Sequence, residues 1–154
     1  MRGDAGRGSV SIEVAVLAPA FIALMVLAGI AGRSAVAAEA LEAAAHDAAR
    51  AASISRDSDE AETAAREAAR QQLDWRGLAC ATLDLTFSGS VAGEPKTFDA
   101  AFRSSVGQDA TVTVEITCVV SFRDISLDVV PGMPTGNEIT AIFTSPLDRY
   151  RSRQ

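Results

Sequence analysis

The sequence predicts an α+β protein: an N-terminal transmembrane helix continuing into an alanine-rich stalk helix, then a second helix, then a small antiparallel sheet of three to four strands. Three observations predict it. No charged residue lies between Glu13 and Arg33, and at about 1.5 Å per residue that run is about 28 Å long, close to the hydrocarbon thickness of a bilayer. Residues 35–52 are mostly alanine, the residue with the highest intrinsic helix propensity. After Gly77 the hydrophobic period changes from helical to alternating, with turn residues and no crossover helices between the apolar stretches, the pattern of an antiparallel sheet.

The 154 residues leave room for one membrane segment and one domain of about 100 residues. The boundaries read as a basic cytoplasmic leader (1–8), a transmembrane helix (9–33), a helical stalk broken near 53–58 (34–75) and an exported β-rich domain (76–154). Arg2 and Arg7 precede the apolar run, whereas the flank beyond Arg33 turns acidic. The positive-inside rule therefore places the N-terminus in the cytoplasm, makes the protein single-pass and puts the C-terminal domain outside. Net charge is −6, and no cluster of Lys and Arg offers the footprint that phosphate backbones need, so nucleic acid is not an expected partner. The lipid bilayer is.

Within the apolar run Pro19 removes one backbone donor and is expected to kink the helix, which membrane helices tolerate. Ala28 and Gly32 form a small-xxx-small pair, a spacing that permits close helix approach and is also common in membrane helices generally. The stalk at 35–52 has only Val36 and Leu41 as larger apolar residues, so its thin alanine face is expected to pack closely on another helix or a sheet while burial alone holds it weakly. Ser53 to Ser58 break the pattern with turn and cap formers. Asp59 stands three residues before Glu62, the spacing of a capping box, and starts a second helix reaching about Leu73. There Glu62 and Arg66 are at i and i+4, and Ala61, Ala65, Ala68 and Leu73 form a side expected to pack on the strands that follow.

Residues 79–88 alternate through Leu83, Leu85 and Phe87. Gly89, Gly93 and Pro95 mark a turn region before a weaker strand near Thr97 to Arg103. The clearest strand is Ala110 to Phe122, with Val112, Val114, Ile116, Cys118 and Val120 on one face and Thr111, Thr113, Glu115 and Thr117 on the other. Pro131-Gly132-Met133-Pro134 turns the chain into a last strand, Glu138 to Thr144, ending before Pro146. In an exported domain Cys80 and Cys118 read as a disulfide, with two buried free thiols as the alternative. Cys80 has the opposite parity to Leu83, Leu85 and Phe87, so either it precedes the regular strand or a bulge intervenes.

Residues that could converge for catalysis are scarce. His46, the one histidine, lies on the alanine-rich helix and reads as solvated. Gly89-Ser90-Val91-Ala92-Gly93 has valine where a hydrolase nucleophile would stand. Cys80, Cys118 and His46 lack zinc-ligand spacing. Asp57, Asp59 and Glu60 sit in a polar linker, and no phosphate-binding glycine loop is present. The chain is not expected to be an enzyme, nor to hold a metal or cofactor.

Glu13 is different, because a carboxylate in a membrane helix costs about 2.5–3.5 kcal/mol at the bilayer centre and marks function by default. The stretch Arg7-Gly8-Ser9-Val10-Ser11-Ile12-Glu13-Val14-Ala15, the apolar helix containing Pro19 and the alanine-rich helix behind it resemble the TadE-like family, pseudopilins of the bacterial tight-adherence, type IV pilin-like system. The C-terminal part is similar to two-cysteine members through Val114-Glu115-Ile116-Thr117-Cys118, Pro131-Gly132-Met133-Pro134 and Ser145-Pro146-Leu147-Asp148-Arg149-Tyr150-Arg151. The resemblance implies cleavage after Gly8 by a prepilin peptidase. Ser9 becomes the new N-terminus, and Glu13 pairs inside the membrane with the terminal amine of a neighbouring subunit. It also implies, as partners, other pilin or pseudopilin subunits and a membrane assembly platform, with possible incorporation into a surface pilus. An ammonium beside a carboxylate at low dielectric offsets part of the desolvation of both.

Two other readings fit the residues. One is a single-pass membrane protein with an exported interaction domain in which Glu13 is incidental. The other is a secreted protein whose signal peptide is cut near residue 37, at Ala35-Val36-Ala37, against which stand Glu13 and an apolar run longer than the usual h-region.

Overall fold

The computed structural model describes residues 7–122, 124 and 135–150, with the side chains of the first helix described from Glu13 onward. Seven elements follow in order: α1 (Arg7–Ile54), α2 (Ser58–Arg76), β1 (Thr82–Val91), β2 (Glu94–Lys96), α3 (Phe98–Phe102), β3 (Ala110–Ser121) and β4 (Gly136–Pro146). The architecture is α+β, with one four-stranded antiparallel sheet in the order β2-β1-β3-β4.

Anchor run and stalk are one helix of 48 residues that continues through Pro19. Its two halves have opposite surroundings. Val14, Val16, Leu17, Phe21, Leu24 and Met25 are all exposed, whereas Ala37, Ala40, Leu41, Ala44, Ala45, Ala48, Ala49 and Ala52 are buried. Buried doublets three to four residues apart make a stripe wide enough to meet two neighbours, and α1 packs on both α2 and the β3–β4 half of the sheet. Methyl side chains allow close approach on both sides, so the stalk is held by dense packing despite having so few large residues.

Asp57, not Asp59, caps α2: its Oδ1 accepts from the backbone N–H of Asp59 (2.8 Å) and of Glu60 (3.2 Å). The buried side of α2 is Ala61, Ala65, Ala69 and Leu73, with Ala69 in place of Ala68. That side packs chiefly on α1 rather than on the strands, because a small-residue face fits the alanine stripe better than a sheet of valines. Glu62 and Arg66 pair at 3.6 Å, and Arg66 reaches the sheet by lying over the Phe87 ring at 4.8 Å. At the other end Gly77, at φ 67°, terminates the helix. The Gly77 N–H donates to Asp74 O, and that of Leu78 to Leu73 O, the paired bonds of a Schellman motif.

The hairpin between β1 and β2 turns at Ala92 and Gly93, both at positive φ, as tight two-residue hairpin loops require. Gly89 and Pro95 are strand residues, not turn residues. The weak strand expected near Thr97 to Arg103 is instead the short helix α3. Thr97 caps it by accepting from Ala100 N–H at 3.3 Å, Asp99 and Arg103 pair across one turn, and Phe98, Ala101 and Phe102 bury one face. Spacings of three and four are a helical period, which the alternating template mistakes for a poor strand. Gly89 makes room for this helix: a Cβ there would lie 2.7 Å from the Ala101 Cβ.

In β3 every second residue from Ala110 to Val120 is buried. Cys118, Ile116 and Val114 face Leu83, Leu85 and Phe87 of β1, and Ile139, Ala141 and Phe143 of β4. The outer face carries hydroxyl pairs, Ser90 with Thr111, Thr113 with Thr144 and Thr117 with Thr140. β4 extends past the expected end to include Pro146, which an edge strand accommodates. Cys80 precedes β1 and joins Cys118 in a disulfide with a Cα–Cα distance of 5.4 Å, so its parity reflects a position ahead of the regular strand and no bulge is needed. The expected turn at Pro131-Gly132-Met133-Pro134 lies outside the described residues.

Candidate functional site

A long N-terminal apolar helix followed by a small antiparallel sheet with a disulfide is a pilin-like architecture. Gly8 and Ser9 fall in the first turns of α1, and Glu13 follows one turn after Ser9 on the same helix. Glu13 is exposed. Among the described residues the stretch from Glu13 includes one helix long and apolar enough to cross a membrane, with a mean hydropathy of 2.6 over its most apolar 18 residues. The exposed side chains from Val14 to Leu27 have no cover among the described residues, and in water such a surface would far exceed what a monomeric protein leaves open. The structure therefore carries a membrane or signal helix joined to an α+β domain, and the disulfide points to an extracytoplasmic domain.

The helix does not simply emerge from the domain. Ile30 is 9% exposed and belongs to the domain core, and Val26 packs against that core. The lower edge of the domain thus overlaps the last turns of the apolar run. Just beyond, Arg33 Nη1 donates to Asp124 Oδ2 at 2.6 Å. The Arg33 guanidinium holds the Asp124 carboxyl below its ordinary value, chiefly through that hydrogen bond. Because α2 runs antiparallel to the stalk, its C-terminal end comes back to the level of Arg33. Arg33, Val36, Arg76, Leu78, Val120 and Asp124 line one cavity of about 360 Å³. Trp75, next to Arg76 in sequence, is 76% exposed, has the Arg76 guanidinium 5.4 Å from its ring centre, and lines a separate groove with Gln71, Gln72 and Asp47.

This junction was missed by residue-by-residue reading, although a signal existed. A hairpin of two helices with its break at 55–57 must return the end of α2 to the height of residues 33–36, and the only tryptophan in the sequence stands at that end.

His46 is exposed, with Nδ1 3.1 Å from Asp47 Oδ1 and its ring edge-on to Phe143 at 4.6 Å. Cys80 and Cys118 are joined to each other. Among the described residues no group of three or more His, Cys, Asp or Glu side chains is placed to hold a metal. Comparison with protein-family models, with curated proteins and with solved structures finds no match for this chain.

Proposed function

We propose that the chain is a minor pilin or pseudopilin, a TadE-like, membrane-anchored component of tight-adherence (Flp-type) pilus assembly. The observation that carries this reading is the division of α1. One unbroken helix has its C-terminal half buried in an α+β domain, while its apolar stretch from Val14 to Met25 is bare and preceded by the single carboxylate Glu13. Such a helix can leave the bilayer and repack its bare half against copies of itself without disturbing the domain. Glu13 is then the group that meets the amine of a neighbouring subunit once a prepilin peptidase has cut after Gly8. The partners are other pilin-like subunits and a membrane platform, and the domain lies outside the cell membrane.

The signal-peptide alternative fits the structure less well. A cut near residue 37 would divide α1 beside Ala37, which is buried, and would remove Ile30 from the core.

N-terminal sequencing of the mature protein separates the readings: a start at Ser9 is expected, whereas an intact Met1 or a start near Ala38 overturns the processing step. With Glu13→Ala, membrane insertion should be unchanged or improved, since a carboxylate opposes insertion, while recovery of the chain in purified pili falls. Normal recovery of that variant would refute the role of Glu13.

A further inference from the structure

We propose that the membrane-proximal end of the domain is a lipid-headgroup site, in which Arg33 and Arg76 hold a phospholipid phosphate and Trp75 seats in the headgroup layer. The proposal rests on the reading that the run between Glu13 and Arg33 crosses the bilayer.

The length of that run supplies the first argument. At about 28 Å it only just matches a hydrocarbon core of about 30 Å, so a span that begins at Glu13 uses all of it. Yet the domain already covers Ile30 and packs on Val26. A domain whose core reaches below Arg33 cannot stand clear of the membrane, and its lower edge lies in the headgroup region.

What occupies that edge suits the location. The cavity of about 360 Å³ is lined by two arginines together with Val36, Leu78 and Val120, a combination that suits a phosphate attached to an acyl chain. Arg33 gives one of its nitrogens to Asp124. A guanidinium has five N–H donors, so the remaining ones are available to a second anion. Asp124 leaves the pair less positive than two free arginines, which favours a phosphate at the mouth of the cavity over one drawn fully inside. Trp75 is otherwise out of place: an indole 76% exposed to water, although tryptophan is the residue that accumulates at membrane–water interfaces. Val36, also exposed, stands on the adjacent turn of α1 from Arg33. Glu39 and Asp74, the nearest acidic groups in sequence on the two helices, are exposed to solvent.

As the only tryptophan in the chain, Trp75 is its own reporter. The full chain is reconstituted into phosphatidylcholine vesicles, with and without phosphatidylglycerol, carrying bromine either near the headgroup end of the acyl chain or near its methyl end. Flotation of the vesicles separately scores the anchor. Trp75 emission should be quenched more by the shallow bromines than by the deep ones. Phosphatidylglycerol should raise the quenched fraction, and Arg76→Gln should lower the docked-to-free ratio about fivefold, the effect of roughly one basic residue at an anionic surface. Arg76→Gln leaves the flank of the membrane helix intact, so it is independent of any part Arg33 plays in orientation. Chain that floats while Trp75 stays unquenched with water-like emission overturns the headgroup site and leaves the anchor standing. Failure to float overturns both. In uncharged detergent, inorganic phosphate should not shift Trp75 emission; a shift as large as that produced by lipid would make this a soluble-anion site and overturn the proposal.

Discussion

Reducing the Cys80–Cys118 bond should remove a large share of the stability of the sheet domain. The bond spans 38 residues, and the loop it closes contains β1, β2, α3 and most of β3, that is, the greater part of three of the four strands and the helix packed on them. For a loop of this length the chain-entropy argument gives about 4 kcal/mol at 25 °C. A small domain has a total of about 5–15 kcal/mol, so the reduced protein is left near the lower margin. The assay is pulse proteolysis across a urea series on the full chain in detergent, oxidised and reduced, with cleavage between β1 and β4 as the readout. Reduction changes no side-chain volume, and so isolates the cross-link. A Cys80→Ala/Cys118→Ala variant should be less stable still, because Cys118 is fully buried and its sulfur leaves unfilled space. A loss on reduction below about 1 kcal/mol would refute the reasoning, showing that the Ala81 N–H to Val119 O bond (2.8 Å) and the strand register hold the ends of this loop together without the cross-link.

Gly89→Ala should destabilise the domain by about 1–3 kcal/mol, the usual cost of overpacking, since the new Cβ meets Ala101 Cβ at 2.7 Å and two backbone oxygens at 3.2 Å. In the same urea assay, Ala101→Gly combined with it should cost less than the sum of the two single changes, and strict additivity would show that the clash is relieved elsewhere. Leu41→Ala should cost about 2–5 kcal/mol, because Leu41 is the one large fully buried side chain among the alanines of the stalk; a loss of under 1 kcal/mol would mean that α1 and α2 close over the gap. The Asp124 carboxyl is held below its ordinary value of 3.8 by Arg33, so the pair favours the folded junction above that pH and its contribution fades as pH falls through the lower folded-state value. Carboxyl NMR titration should show this depression and its loss in Arg33→Gln; an unchanged titration in that variant would remove Arg33 as the cause.

The elements carried by strong periodicity were legible from the residues. An uncharged run bounded by Glu13 and Arg33 means one apolar helix whatever surrounds it, and five alternate apolar residues in β3 mean one buried face. The second helix was legible in kind but off by one residue on its buried side and by two at its cap. Alanine is nearly neutral as a burial signal, and each of the acidic residues at 57, 59 and 60 could begin a helix, so the neighbours had to choose. The segment 97–103 was misread because three buried residues in five positions fit two periods, and only the vacant space above Gly89 selects the helix.

The site divides in the same way. Glu13 declares itself in the sequence because a charge within an apolar run is costly wherever the run is placed. The ring of Arg33, Val36, Arg76, Leu78 and Asp124 could not, because its members come from three separate parts of the chain and none is unusual alone. By itself the sequence determined the apolar helix, its lone carboxylate and the alternation of the strands, which are local properties of side-chain chemistry at fixed spacing. Only the tertiary structure decided which helix α2 covers, how Cys80 meets Cys118 and what gathers where α1 enters the domain. Those outcomes depend on how far the chain travels before it returns, and on which surfaces are small enough to meet.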